Sequence, residues 1–440
     1  MFTKYVETVS AAETIKCTGR VFRVQGLLIE SRGPQAVIGE LCYLTIGGRK
    51  VMAEVVGLDG TTVKLMAYED TSGIEAGTLV TATGAPLDIA VCPSLLGRIL
   101  GPLGKPIDGK GEIISPVRYP ALAAAPPALS RPAITERLAT GIRAVDALLP
   151  VGRGQRMGVF AGSGVGKSTF QGMIARNTSS DVNVIALIGE RGRELNDFLL
   201  KNLGEDGLKR SVVVAATSDQ SAIARLRGAF VATAVAEYFR DVGLSVTLLF
   251  DSVTRFAHAQ REIGLASGEP PAQRGYTPSV FDLMPKLLER SGPAKKGSIT
   301  AFYTVLVDGD DLDEPISDKA RSILDGHIVL SRNLAARNHY PAVDVLASIS
   351  RLAPDISSKA AAKAAAEVRA YIADYASSED AINAGAYKPG TNPALDAAIA
   401  KKPLIDDFLA QALDEQSPLG ETLGRLADIS GIEIPDNERV

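Results

Sequence analysis

Residues 157–169 read MGVFAGSGVGKST. A short apolar run, Met157–Phe160, leads into a loop with glycine at 162, 164 and 166, then Lys167 and two hydroxyls, Ser168 and Thr169. Strand, glycine loop, helix is the context in which a P-loop cradles phosphate. The glycines let backbone N–H groups turn inward on phosphate oxygens. The N-terminus of the following helix, expected to begin near Thr169, adds partial positive charge. In this reading Lys167 reaches the β- and γ-phosphates of ATP and the Ser168 hydroxyl ligates Mg²⁺. The expected nucleotide-binding set is Gly162, Ser163, Gly164, Val165, Gly166, Lys167, Ser168 and Thr169. The motif departs from the general pattern at its first position, Ala161, which needs a tight turn more than contact with phosphate.

A Mg²⁺-nucleotide site needs a carboxylate beyond the loop. VTLLFD (246–251) is an apolar strand ending in Asp251, the Walker B pattern, and Asp251 is the expected second Mg²⁺ ligand. Hydrolysis also needs a group that orients and polarises water. GERGRE (189–194) follows the strand after the P-loop helix, so Glu190 falls at the C-terminal edge of the sheet, where open α/β sheets bind ligands. Glu190 is the candidate water-activating carboxylate, with Arg191 beside it as a sensor of the γ-phosphate. The acidic run VDGDDLDEP (307–315) imitates a calcium loop. It lacks glycine at the sixth position and glutamate at the twelfth, where Lys319 stands if Asp308 is first. His258, His327 and His339 have no metal-ligand spacing and read as structural. No Cys or Ser–His arrangement suggests a covalent nucleophile.

Outward from the loop, apolar runs at 182–189, 211–217, 246–251, 300–308 and 327–331 alternate with helical stretches such as AIARLRGAFVATAVAEYFRD (222–241). That alternation implies a mostly parallel α/β sheet. Residues 1 to 90 read as β, with Gly47-Gly48 and Asp59-Gly60 as hairpin turns, and the strand spacing suggests a small β-barrel. The proline-rich stretch 115–133 is an extended connector. From about residue 355 the chain is helical. Val368, Tyr371, Ile372 and Tyr375 form one stripe, and Pro389, Pro393 and Pro403 are expected to break the tail into short pieces. The expected domains are a barrel over 1–90, an α/β P-loop core over 91–355 and a helical domain over 356–440.

A chain of 440 residues exceeds one ordinary core, and 46% apolar residues can fill several. The charged fraction of 22% excludes a disordered chain. The net charge of −4 argues against nucleic acid as a partner. A barrel that binds single-stranded RNA should interleave basic residues with exposed aromatics. Residues 1–90 offer chiefly Phe2, Tyr5, Phe22, Tyr43 and Tyr68, and no basic cluster, which disfavours a nucleic-acid translocase. Cys17, Cys42 and Cys92 are odd in number and without CxxC spacing, as in a cytoplasmic protein with reduced thiols. The N-terminus has no apolar stretch of the signal-peptide kind. No run of 18 apolar residues would span a bilayer, and peripheral membrane contact stays compatible with the chain.

The set AGSGVGKST, IGERGRE, ATSDQS, LLFDSVTRFAHAQREIG, GEPPAQRGYTPSVFDLMPKLLERSG, DGHIVLSR and NHYPAVDVLASISRL resembles the catalytic subunits of rotary ATPases. Within that superfamily it is most similar to the ATPase of type III protein export, the flagellum-specific ATPase. The resemblance runs from about residue 20 to 415. It implies an N-terminal β-barrel, a RecA-like ATPase core and a C-terminal helical domain. It also implies a homohexameric ring with a nucleotide at each subunit interface, Arg351 in ASISRL as an arginine finger acting in trans, and Tyr340 in NHYPAV as the aromatic that stacks on adenine. Arg225 and Arg227 match arginines near phosphates or interfaces in relatives. The implied partners are the stalk, regulator and gate proteins of the export apparatus, with export chaperones and substrates. The implied location is the cytoplasm, at the cytoplasmic face of the inner membrane. The virulence-type secretion ATPase shares these motifs. A rotary ATP synthase catalytic subunit is the other alternative, but its P-loop ends in Lys-Thr rather than Lys-Ser, and no acidic rotor-contacting stretch is found here.

Overall fold

The computed structural model of the chain describes residues 16–307, 309 and 311–438. Phe2 and Tyr5 of the expected barrel aromatics, and Asp308 and Asp310 of the acidic run, lie outside the described residues. Six strands, β1 (Thr18–Gln25), β2 (Leu28–Arg32), β3 (Glu40–Ile46), β4 (Arg49–Asp59), β5 (Thr62–Ala67) and β6 (Leu79–Pro86), close a barrel in the order β1-β2-β5-β4-β3-β6. Alternate side chains fill it: Val21, Ile29, Leu44, Val51, Val55, Leu65 and Val80 are buried together. Gly47 and Gly48 both have positive φ (55° and 84°), as a two-residue hairpin turn requires. The next turn is Gly60-Thr61 rather than Asp59-Gly60, because Asp59 is still in the ladder, paired with Thr62.

The core sheet contains β7 (Ile99–Leu100), β8 (Arg156–Ala161), β9 (Val182–Ile188), β10 (Ser211–Ala216), β11 (Ser245–Asp251), β12 (Ser298–Leu306), β13 (Gly326–Leu330) and β14 (Val343–Ser350). Their order is β14-β13-β8-β12-β11-β9-β10-β7. Neighbours are parallel except β14, which runs antiparallel to β13, so the sheet is mostly parallel as the alternation implies. Both faces are covered. In β9, Val184, Ala186 and Ile188 join the core made with helices α2 (Ala222–Asp241) and α3 (Val253–Ser267). Ile185 and Leu187 join the opposite core, with α1 (Lys167–Asn177). The C-terminal helices α4 (Lys359–Asn383), α5 (Pro393–Leu409) and α6 (Leu419–Ser430) pack onto that second core through Val368, Ile405, Phe408 and Leu426.

Two further expectations change. The P-loop helix starts at Lys167, not near Thr169, because Gly166 adopts a left-handed φ of 88° and caps it directly. Pro403 does not break the tail but lies inside α5. Burial of Ile405, Phe408 and Leu409 beyond it holds the last turns despite the missing N–H. The connector 115–133 contains a three-residue strand, Arg118–Pro120, and a single 3-10 turn, Ala128–Ser130.

Candidate active site

β8, β12, β11 and β9 end side by side, and their C-terminal ends hold the site. A cavity of about 490 Å³ is lined by Gly162, Ser163, Gly164, Gly166, Lys167, Ser168 and Thr169, with Glu190, Arg191, Glu194 and Arg255 facing them. Gly164 and Gly166 take φ values of 79° and 88°, conformations closed to most side chains, which turn the loop back on itself. Val165 alone sends its side chain into the core, leaving only its backbone to the loop.

Lys167 is the hub. Its Nζ lies 2.8 Å from Asp251 Oδ1 and 3.3 Å from Glu190 Oε1, so the three residues converge although the chain separates them widely. Burial works against the ammonium, but the charges of Asp251 and Glu190 outweigh it and hold its pKa above the usual lysine range. Burial pushes Asp251 above the carboxylate range, with Lys167 pulling the other way. Burial would also raise Glu190, but a hydrogen bond from Glu194 and the charge of Lys167 bring it below its ordinary value. Glu194 is raised in turn, chiefly by that hydrogen bond. The pair therefore keeps Glu190 ionised and lets Glu194 hold a proton more readily.

Glu194 and Arg255 were not singled out from the sequence. Glu194 is the second carboxylate of GERGRE, on the first turn of the helix Gly192–Asp197. Arg255 lies on the first turn of α3, just after Asp251, and side chains there lean back toward the strand end. A Cβ added to Gly189 would lie 2.8 Å from the Arg255 Cβ, so this glycine lets the Glu190 strand end approach Arg255. The Arg255 Nε is buried, with no hydrogen-bond partner among the described residues.

The other expected residues divide. Arg191 lies at the mouth of the cavity, 80% exposed, with Glu194 at 3.9 Å. Tyr340 stands against the loop: a Cβ on Gly166 would meet its ring at 3.2 Å. Arg351 is elsewhere. It follows β14, the antiparallel edge strand, and its N–H donates to the Asp325 carbonyl beside the start of β8, at the opposite edge of the sheet from the loop. Its guanidinium is exposed and donates to the Arg321 carbonyl. Arg225 pairs with Glu262 at 2.6 Å, and neither it nor Arg227 lines the cavity. Arg227 joins core to barrel instead, through a buried bidentate pair with Glu54, which also accepts from the Tyr68 hydroxyl.

Among the described residues, no cluster of three His, Cys, Asp or Glu side chains could hold a metal by itself. One hydroxyl and one carboxylate, Ser168 and Asp251, suit Mg²⁺, which keeps several waters and takes the rest of its shell from substrate phosphates.

Residues 21–84 match the beta-barrel domain of the ATP synthase alpha/beta family, and residues 141–350 its nucleotide-binding domain. Residues 357–428 match the T3SS EscN ATPase C-terminal domain. The flagellum-specific ATP synthase of Treponema pallidum is 58% identical over 433 residues, covering 98% of this chain and 97% of that protein. The chain belongs to the flagellar and type III secretion ATPase family. The type 3 secretion system ATPase of Xanthomonas euvesicatoria is 48% identical, covering 94% of each chain. Among solved structures, the assembled ATPase EscN of the enteropathogenic E. coli type III secretion system matches with a TM-score of 0.89. It is 44% identical, covering 94% of this chain and 100% of that one. EscN has also been solved with its central stalk EscO. This member of the type III secretion ATPase family is accordingly a P-loop ATPase, with a barrel before the catalytic core and a helical region after it. Among its described residues no helix is long and apolar enough to cross a membrane.

Proposed function

We propose that this ATPase energises flagellar type III protein export as a homohexameric ring, hydrolysing ATP at its subunit interfaces. The higher identity to a flagellar relative than to a virulence one supports the flagellar assignment. The match of the tail to an EscN C-terminal domain favours export over the rotary-synthase alternative. The assembled state and stalk of EscN support a ring with a central stalk partner. Regulator and gate proteins, chaperone release and substrate unfolding at the cytoplasmic face of the membrane complete this reading. The domains divide at 90 and 355, as read from the sequence.

The observation that carries the mechanism is the convergence of Lys167, Glu190 and Asp251 on the glycine loop, with Arg351 at the far edge of the sheet. Loop N–H groups and Lys167 bind the phosphates, exchanging the two carboxylates for phosphate oxygens. Ser168 and Asp251 would hold Mg²⁺, which would neutralise charge on the substrate phosphates when bound. Glu190, freed from Lys167, orients the attacking water and accepts its proton. Arg191 and Arg255 face the γ-phosphate side, Tyr340 stacks on the base, and Arg351 of the neighbouring subunit stabilises charge developing at the γ-phosphate. A Glu190→Gln variant should bind ATP normally and lose about 10²- to 10⁴-fold in turnover, the worth of a general base. Equilibrium binding and steady-state hydrolysis check this, and normal turnover would assign the base elsewhere.

A further inference from the structure

Tyr340 is held over the glycine loop from the C-terminal helical region. Its carbonyl accepts a hydrogen bond from the Gln411 backbone N–H at 2.8 Å, in the loop between α5 and α6. Gln411 is buried, and its side-chain polar atoms are engaged. Oε1 accepts from the Arg143 N–H at 2.9 Å, and Nε2 donates to the carbonyls of Gly141 at 2.8 Å and Glu415 at 2.9 Å. Arg143, also buried, grips the same loop. Its Nε donates to the Phe408 carbonyl at 2.8 Å, and its guanidinium reaches the Ala410 carbonyl and the Glu415 carboxylate. The far end of α1 holds it too: Arg176 donates to the Leu413 carbonyl, and Asn177 Nδ2 to the Glu415 carbonyl at 3.4 Å. The loop is therefore strapped to the C-terminal end of the very helix whose N-terminus is the P-loop. From there it steadies the ring that touches Gly166.

We infer that Gln411 is a positioning residue for the nucleotide base: it fixes Tyr340 as a stacking platform and so sets the base-dependent part of ATP affinity. The inference rests on the reading of Tyr340 as the base platform. A platform fixed before binding loses little freedom when the base arrives, whereas one free to turn must be ordered by the ligand. Gln411 and its side-chain partners Arg143, Gly141 and Glu415 do not line the phosphate cavity, so a change at Gln411 reaches the nucleotide chiefly through Tyr340.

The test compares full-length Gln411→Ala, Tyr340→Ala and the double variant, using ATP as substrate and inorganic tripolyphosphate, which has no base, as competitor. Gln411→Ala should raise KM for ATP about two- to tenfold, the factor one net hydrogen bond is worth. Its kcat should change far less, and tripolyphosphate inhibition should not move. In the Tyr340→Ala background the same substitution should add nothing further. Gln411→Met keeps the backbone donor and much of the volume, adds no charge and loses the side-chain hydrogen bonds. It should show the same split, and it serves if the alanine variant does not fold. Equal weakening of ATP and tripolyphosphate, an unchanged KM, or additive effects in the double variant would overturn the inference. If Tyr340→Ala separates ATP from tripolyphosphate and the Gln411 variants do not, the Gln411 role alone fails. If Tyr340→Ala does not separate them, the base-platform reading fails first and this inference with it.

Discussion

A Lys167→Ala variant mixed with an Arg351→Ala variant should hydrolyse ATP although neither does so alone. The reason lies in the strand register. The Arg351 N–H bonds the Asp325 carbonyl at 3.0 Å, and the Asp325 N–H bonds the Arg156 carbonyl at 2.9 Å. Arg156 opens β8, whereas the glycine loop leaves its other end after Ala161. At about 3.3 Å per residue, those five steps put Arg351 about 17 Å from the start of its own loop, beyond the span of its side chain. In the proposed ring, Arg351 therefore meets a nucleotide only across the interface, at a neighbouring subunit's loop. Arg351→Ala alone should lose about 10³-fold or more in turnover, as removal of an arginine finger does elsewhere. Lys167→Ala should lose phosphate binding. In rings assembled at random from equal amounts of both, about one quarter of the head-to-tail interfaces pair an intact loop with an intact finger. Single-turnover hydrolysis reads individual sites without requiring the ring to fire in sequence. The expected burst is about one quarter of the wild-type amplitude, set by the same pairing of half with half. Co-purification of differently tagged subunits establishes mixing. A burst no larger than the sum of the two variants, in rings shown to be mixed, would refute a finger supplied in trans.

The barrel and the core are joined at a buried ion pair, so Glu54→Gln should be costly. Glu54 is 1% exposed and receives both Arg227 and the Tyr68 hydroxyl, and neutralising it leaves the Arg227 charge buried without a counter-ion. The expected loss is about 3 kcal/mol, measured by chemical denaturation; a change near zero would mean that water replaces the carboxylate. The thiols should separate by reactivity. Burial, helped by Glu40, pushes the Cys42 thiol up to about 12, so at pH 8 it is almost wholly protonated, whereas Cys17 is exposed. Iodoacetamide at pH 8 should label Cys17 readily and Cys42 only after unfolding, read by peptide mass spectrometry. Rapid native labelling of Cys42 would show that the barrel opens.

Much of the fold could be read along the chain because its signals are local. Buried strands of a parallel sheet read as apolar runs, and α2 falls on the stretch 222–241 that its pattern announces. The misplaced details were also local. The helix start shifted to Lys167 through the backbone freedom of Gly166, and α5 continues through Pro403 because its far end is packed. Of the site, local motifs announce the parts that one strand end or one loop can carry. These are the glycine cradle, the lysine at its end, Asp251 closing an apolar strand and Glu190 after the next one. A motif records which residue follows a strand, but not which strand lies beside it. Only the tertiary structure set β12 between β8 and β11, so that Lys167 meets both carboxylates, and turned α3 so that Arg255 faces Glu190. It alone placed Arg351 at the far edge, since the antiparallel direction of β14 is settled by pairing with β13 and not by its own residues. Arg227, similar in sequence context to Arg225, turned out to bind the barrel, because its partner Glu54 comes from a part of the chain that only folding brings near.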